Sequence, residues 1–312
     1  MAIPYWIECD DAGNAIGNVW VYVDEVKANS HKRFSIKKSV GYSPDIEQAV
    51  PSNFIDAFDR ADSDTISNGW VEDEGSYSYF YISSNALYLN ESTPSGGVYV
   101  STLYRPIKHP ERLKSFKCKY YSPSQSYIMS NYIGLLAEDL SYVFILNINS
   151  SNKLSLHYNG TKIAESSSSW SEGNWHTYEV VLENDNITVY YDGNAYINTT
   201  YQLDLSASKY FFVGQDGGYH QTGSGSLRAG TYRYSDVEYK TLSYVPEISI
   251  EEKQDACVVT ITNNSSEDLV DTTIPISKDL LAITSANESL EIKDITDPRF
   301  DVYMTCKVEC DL

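Results

Sequence analysis

Short stretches that alternate apolar with polar residues recur along most of this chain, and nearly every one is closed by a turn signal. Tyr77-Ser78-Tyr79-Phe80-Tyr81-Ile82, Ser115-Phe116-Lys117-Cys118-Lys119-Tyr120, Lys153-Leu154-Ser155-Leu156-His157-Tyr158 and Asn186-Ile187-Thr188-Val189-Tyr190-Tyr191 show the pattern. A period of two puts successive side chains on opposite faces of a strand, so each stretch reads as a half-buried strand. Asn159-Gly160 and Asp192-Gly193 follow the last two stretches and predict two-residue hairpins. No segment shows the apolar spacing of a helix, so the expectation is an all-β chain built as an antiparallel sandwich or barrel.

Turn-rich breaks divide the chain into three parts. Residues 1–53 hold short strand-like runs such as Val19-Trp20-Val21-Tyr22-Val23 and Arg33-Phe34-Ser35-Ile36-Lys37. Residues 54–243 carry the densest alternation and fit one large sandwich. After Val245-Pro246, residues 244–312 form a smaller β segment with Ala256-Cys257-Val258-Val259-Thr260-Ile261-Thr262 and a closing run from Phe300 to Val308. A segment that short folds alone only marginally, which already suggests a partner for it.

Composition excludes several function classes. Asp and Glu outnumber Lys and Arg by 43 to 23, leaving a net charge of −20. Phosphate backbones need a basic surface, so nucleic acid is not an expected partner. The 27 tyrosines suit sheets whose outer faces meet water or sugar. Five cysteines (Cys9, Cys118, Cys257, Cys306, Cys310) are too few for a disulfide scaffold. Cys306 and Cys310 share a strand face, too far apart to bond each other easily. The apolar run Val143-Phe144-Ile145-Leu146 is too short to span a bilayer, and the start lacks a signal peptide. Two origins fit: a mature piece of an exported protein, or a virion protein released by lysis.

Residues 54–243 resemble the laminin-G-like, concanavalin-type jelly roll. The resemblance is carried by Gly173-Asn174-Trp175-His176-Thr177-Tyr178-Glu179-Val180, Val189-Tyr190-Tyr191-Asp192-Gly193-Asn194, Phe211-Phe212-Val213-Gly214 and Gly230-Thr231-Tyr232-Arg233-Tyr234-Ser235-Asp236-Val237-Glu238-Tyr239. It implies a concanavalin-like β-sandwich whose last strand returns beside the first. The flanks are similar to an uncharacterised archaeal and bacterial surface-protein domain that usually precedes such jelly rolls. Pro4-Tyr5-Trp6-Ile7-Glu8, Val19-Trp20-Val21 and Phe54-Ile55-Asp56-Ala57-Phe58-Asp59 match its late half. Thr260-Ile261-Thr262-Asn263, Leu269 to Ile276 and Asp297-Pro298-Arg299-Phe300 match its early half. The order is permuted here, which implies a smaller immunoglobulin-like sandwich made from both ends of the chain. The halves either pair within one chain or complete a neighbour, and the second arrangement makes a homo-oligomer by strand addition. Pairing in cis is favoured, because the jelly roll brings its own ends together and loop closure costs little per added residue.

A search for catalytic groups returns little. Glycoside hydrolysis needs two opposed carboxyls, and the Glu-x-Asp-x-x-Glu pattern of concanavalin-like hydrolases is absent. Glu72-Asp73-Glu74 is the nearest acidic cluster and reads as a solvated turn. His31, His109, His157, His176 and His220 lie in separate segments without a nucleophile elbow, and packing is the expected role of His176.

Binding groups are easier to find. Trp70, Trp170, Asp216, Tyr219 and His220 could present ring faces and polar groups to a sugar, set against the plain reading of the 215–226 segment as an unspecific loop. Calcium is the cofactor the fold suggests, with Asp56, Asp59 and Asp236 as oxygen ligands near the pairing of first and last strands. Glycosylation sequons begin at Asn90, Asn149, Asn159, Asn186, Asn198, Asn263, Asn264 and Asn287. Together these predict a non-catalytic extracellular, cell-surface or virion-surface protein that binds a glycan or envelope glycoprotein. The alternatives are a structural subunit of a sheath, fibre or virion assembled by strand complementation, and a glycan-processing enzyme.

Overall fold

The computed structural model describes residues 3–9, 14–39, 50–74, 78–91, 100–123, 130–149, 153–216, 230–242, 244, 246–252, 256–277, 281 and 289–296. The strands in chain order begin with β1 (Tyr5–Cys9), β2 (Ala15–Val26) and β3 (Ser30–Ser39). Then follow β4 (Asn53–Asp56), β5 (Val71–Asp73), β6 (Ser78–Ser83), β7 (Ala86–Glu91), β8 (Val100–Pro106), β9 (Ser115–Tyr121), β10 (Ser130–Leu136), β11 (Tyr142–Asn149) and β12 (Lys153–Tyr158). β13 (Thr161–Glu165), β14 (Trp175–Glu183), β15 (Asn186–Tyr191), β16 (Asn194–Thr200), β17 (Tyr210–Asp216) and β18 (Gly230–Lys240) complete the middle region. The last four are β19 (Glu247–Glu252), β20 (Cys257–Asn263), β21 (Leu269–Ser277) and β22 (Ser289–Asp294). The chain is all-β, and its one 3₁₀ turn among the described residues of named elements is Pro110–Arg112. No helix among the described residues is long and apolar enough to cross a membrane. Two compact units are present, Asn53–Ser243 and the combination of Met1–Ser52 with Tyr244–Leu312.

The smaller unit is an immunoglobulin-like sandwich of two antiparallel sheets, β1-β2-β21 and β19-β20-β3-β22. β2 from the N-terminal segment pairs with β21 from the C-terminal one, Asn18↔Ser277 through Val26↔Leu269. β3 is likewise held between β20 and β22. Both ends of the chain therefore build each sheet in cis. Alternation explains the core: Val19, Val21 and Val23 of β2 face Phe34, Ile36, Val259 and Ile261 of the other sheet, all buried. Each such side chain contributes about 1.5–3 kcal/mol on leaving water. The buried carboxylate of Glu8 accepts hydrogen bonds from Trp20 Nε1 and Asn18 N, both at 2.7 Å, so burial leaves it partnered. The expected closing strand from Phe300 to Val308, with Cys306 and Cys310, lies outside the described residues.

The larger unit is a concanavalin-like sandwich. One sheet has the order β13-β12-β11-β10-β17-β8-β5, and the other β16-β15-β14-β9-β18-β7-β6 with β4 beside β18. As the jelly-roll resemblance implies, first and last strands pair, Asp56 lying opposite Val237. The layers meet through aromatic edges: Phe116 of β9 packs on Phe144 of β11 at 5.9 Å and on Phe211 of β17 at 6.3 Å. Tyr234 ties them further by donating to Asn131 Oδ1 at 3.1 Å. Gly134 of β10 has no room for a side chain, since a Cβ there would lie 2.1 Å from the carbonyl oxygen of Phe144. The acidic cluster 72–74, expected as a turn, is in part a strand: Val71↔Tyr104 to Asp73↔Thr102 make β5 an edge partner of β8. Charge on an edge strand discourages further pairing, which reconciles its composition with its conformation.

Candidate functional site

Solvent-side positions of the eight-stranded sheet gather a run of aromatic side chains. Alternation sends Phe80 and Ile82 of β6 into the core and leaves Tyr79 and Tyr81 outside. Tyr88 projects outward between buried Leu87 and Leu89, and Arg233 between buried Tyr232 and Tyr234. Tyr121 follows buried Tyr120, and Trp175 shares the outward register of β14 with Thr177 and Glu179, while Tyr178 and Val180 point inward.

Strand order then aligns these five side chains in one row. Tyr81 lies opposite Tyr88, Tyr88 opposite Arg233, Arg233 opposite Tyr121, and Tyr121 opposite Trp175. Their rings are in contact: Tyr81 stacks on Tyr88 at 4.9 Å, and Tyr121 meets Trp175 at 5.8 Å. Between them the Arg233 guanidinium sits 4.9 Å from the Tyr88 ring and 4.8 Å from that of Tyr121. Four interstrand steps make the row about 19 Å long. Trp175 at one end is 41% exposed, and Tyr79, whose ring lies 5.6 Å from that of Tyr81 at the other end, is 47% exposed.

A polar row runs beside it. Asn90 donates from Nδ2 to the Tyr79 hydroxyl at 2.7 Å and accepts from Thr231 Oγ1 at 3.4 Å. Partial burial, then the neighbouring Tyr79 and Tyr88, raise the Tyr81 hydroxyl pKa against a lowering pull from Arg233, so at neutral pH it is a donor. A strip of ring faces edged by hydroxyls and amides can cover the apolar face of a sugar and bond its rim.

The opposite sheet offers different chemistry. Strands β8, β10, β11 and β12 contain no Asp or Glu at all. The outer face of this sheet instead carries the apolar cluster Tyr132, Leu136, Ile145 and Phe212. The carboxylates of this seven-stranded sheet are Glu72 and Asp73 on β5, Glu165 at the end of β13 and Asp216 at the end of β17.

No protein-family model matches the sequence, and no curated protein matches it. Solved structures similar to this chain include a β-glucanase of Bacillus licheniformis, 16% identical, covering 61% of this chain and 98% of that one with a TM-score of 0.47. A carbohydrate-binding module from Bacillus subtilis is 9% identical over 54% of this chain and 93% of its own, with a TM-score of 0.38. An endo-β-1,3-glucanase from Pyrococcus furiosus is 15% identical over 61% and 94%, with a TM-score of 0.45.

The residues singled out from the sequence fall elsewhere. Trp70 and Trp170 are only 7% and 4% exposed, so neither offers a ring face. Trp70 packs against Phe54, Phe58 and Phe211, and Trp170 against Tyr178. Their adjacency to Gly and Ser reads as loop, but the apolar ring area favours the core. Asp216 ends β17, and Tyr219 and His220 lie outside the described residues.

Calcium does not fit its proposed ligands. Asp56 is buried, and its carboxylate accepts from Phe58 N, Arg60 Nη1, Asn68 Nδ2 and Trp70 Nε1 at 2.7–3.0 Å, which fills its four lone-pair positions. Asp236 sits on a bulge of β18 at φ 47° and pairs with Lys119 Nζ at 2.5 Å. Asp59 is exposed. No group of three or more metal-ligating side chains occurs among the described residues. The sequon asparagines also divide. Asn159, Asn198 and Asn264 are exposed, Asn186 is partly exposed, and Asn149 ends β11. Asn90 belongs to the polar row, and Asn287 is outside the described residues. Asn263 is fully buried and donates from Nδ2 to Val26 O and Glu267 O, so the folded chain cannot carry a glycan there.

One constellation was not legible. His176 packs on Tyr191 with ring centroids 4.8 Å apart, its Nδ1 lies 2.7 Å from Asp192 Oδ2, and its Nε2 lies 3.1 Å from Ser171 Oγ. The order matches a nucleophile, base and orienting acid. Yet the Ser171 amide is donated to the Tyr191 hydroxyl, and that of Gly173 to Ser122 O, so these two backbone donors are not available to an oxyanion. Asp192 also accepts from Thr177 N at 2.8 Å, which makes the group a clasp on the β14–β15 hairpin.

Proposed function

We propose that this chain is a non-catalytic extracellular or virion-surface protein that holds a glycan along the row Tyr81, Tyr88, Arg233, Tyr121 and Trp175. The observation that carries this reading is the register: five strands, from β6 to β18 in the sequence, bring four aromatic rings and one guanidinium to one level of a solvent-facing sheet. Stacking of rings within the row stabilises the sheet as well, but the open faces of Tyr79 and Trp175 add nothing to that and leave apolar surface for a ligand.

The test is a glycan array followed by titration of retained ligands against Trp175→Ala and Tyr79→Ala. Each variant is expected to weaken binding by about 5–30-fold, the cost of removing an aromatic anchor, while lowering Tm by no more than about 4 °C, the share of one cross-strand ring contact. Wild-type affinity in both variants, or an array without a single retained glycan, sinks the proposal.

A second reading has its own observation, because strands from both chain ends make up each sheet of the small sandwich and could be exchanged between copies. It requires oligomers whose size grows with concentration. A strictly monomeric chain removes it.

A further inference from the structure

Resting on the glycan-binding reading, we propose that Arg233 makes this site selective for a carboxylate-bearing sugar, a hexuronate or a sialate, at the centre of the bound chain. Cations are scarce in this protein, and on this face the others are engaged. Lys119 pairs with Asp236, and both Lys117 and Lys240 with Glu238. Arg233 is in no ion pair with any described residue, although acidic residues outnumber basic ones by 43 to 23.

Its geometry narrows what it can receive. Tyr88 and Tyr121 flank the guanidinium on either side, at 4.9 and 4.8 Å, and Nε is buried without a hydrogen-bond partner. Stacking thus occupies the faces of the group. What remains is the terminal Nη edge, a planar fork of donors that matches a carboxylate in two parallel hydrogen bonds. Rings on both sides hold that fork in place before any ligand arrives, so little side-chain freedom is lost on binding. Sugars stacked over Tyr81 and Tyr88 on one side, and over Tyr121 and Trp175 on the other, would carry a central acidic residue to Arg233.

Net charge opposes the approach of an anionic glycan without forbidding contact. At physiological salt the screening length is about 8 Å, so the overall charge of −20 slows encounter while a pair at hydrogen-bond distance keeps its attraction.

The experiment compares matched ligands on the full chain. One arm uses a hexuronate oligosaccharide and its carboxyl-reduced neutral counterpart, the other a sialylated oligosaccharide and its asialo form. In at least one arm the acidic member is expected to bind tenfold or more tighter than its neutral partner, and the arm that does so identifies the source of the carboxylate. Arg233→Gln is expected to abolish the preference, so that acidic and neutral members of that arm bind within about twofold of each other. Arg233→Lys, which keeps the charge and loses the fork, should fall between. Equal wild-type binding of acidic and neutral members in both arms, each lost in Trp175→Ala, overturns the carboxylate while leaving the glycan site standing. No binding of any of the four ligands overturns both. Because the matched ligands are compared on the wild type, the result does not depend on any variant folding.

Discussion

Replacing Asp56 by Ala removes a carboxylate with every lone pair in use, and the structure allows the cost to be worked out. Four donors lose their acceptor: the Phe58 amide, the Arg60 guanidinium, the Asn68 amide and the Trp70 indole. Arg60 matters most, since its side chain is 18% exposed beside a carboxylate only 3% exposed. Breaking a buried pair from one side costs about 3–5 kcal/mol. The lower end applies here, because Arg60 Nη2 keeps its bond to Ile66 O at 2.7 Å and part of the group reaches water. A change of about 3 kcal/mol in a unit of this size lowers Tm by about 6–12 °C. Urea titration followed by tryptophan fluorescence should show it in the transition of the larger unit, where Trp70 loses its hydrogen bond. Asp56→Ala with Arg60→Ala should then be less damaging than the sum of the two single changes, by at least about 1 kcal/mol. The same assay decides the calcium question. A carboxylate saturated by protein donors has no site for the ion, so chelator should leave the wild-type midpoint where it is. An Asp56→Ala midpoint within about 1 kcal/mol of wild type, or a chelator effect as large as the mutation, refutes the reasoning.

Three further outcomes follow from other groups. Cys118 is fully buried and burial drives its thiol pKa far up, so a thiol reagent should label Cys9 and Cys257 in the native protein and reach Cys118 only on unfolding; native labelling of Cys118 contradicts the core packing. Hydrogen bonds from Lys293 and then Lys37 hold the Glu291 carboxyl at about 2, below its unfolded value, so its contribution is present above about pH 4.5 and is lost as pH falls towards 2. Because these side chains are well exposed, that contribution is about 1 kcal/mol or less, and the acid limb of the stability curve should be shallower in Glu291→Gln by that amount; parallel curves disprove it. Finally, Ser171 should be inert: simple activated esters are expected to show no turnover above background, and any turnover abolished by Ser171→Ala would make the hairpin clasp an active site.

Much of this fold is written in local pattern. Asp192-Gly193 marks the β15–β16 hairpin, where Asp192 adopts φ 48° and Gly193 φ 77°, and the alternation around it assigns inward and outward faces correctly. Face, however, is all that a period of two reveals. The binding row depends on which strand lies beside which, and the sheet order β14-β9-β18-β7-β6 interleaves elements more than a hundred residues apart, with β18 inserted between β7 and β9. Tyr81, Tyr88, Tyr121, Trp175 and Arg233 each look like an ordinary outward residue in their own strand, and only pairing turns them into one surface. The opposite error has the same root. Trp70 follows a glycine at the end of a turn and reads as an exposed ring, but its partner Asp56 stands fourteen residues earlier on another strand, and the indole N–H is drawn inward to it. Aromatic side chains with one polar atom are placed by where that atom finds its partner, and in a sheet that partner is a matter of strand order. Site residues in such a sandwich are therefore found by combining outward register with cross-strand neighbours, which explains why loops rich in Gly, Ser and Asp attract attention in the sequence while the stacked row in mid-sheet does not.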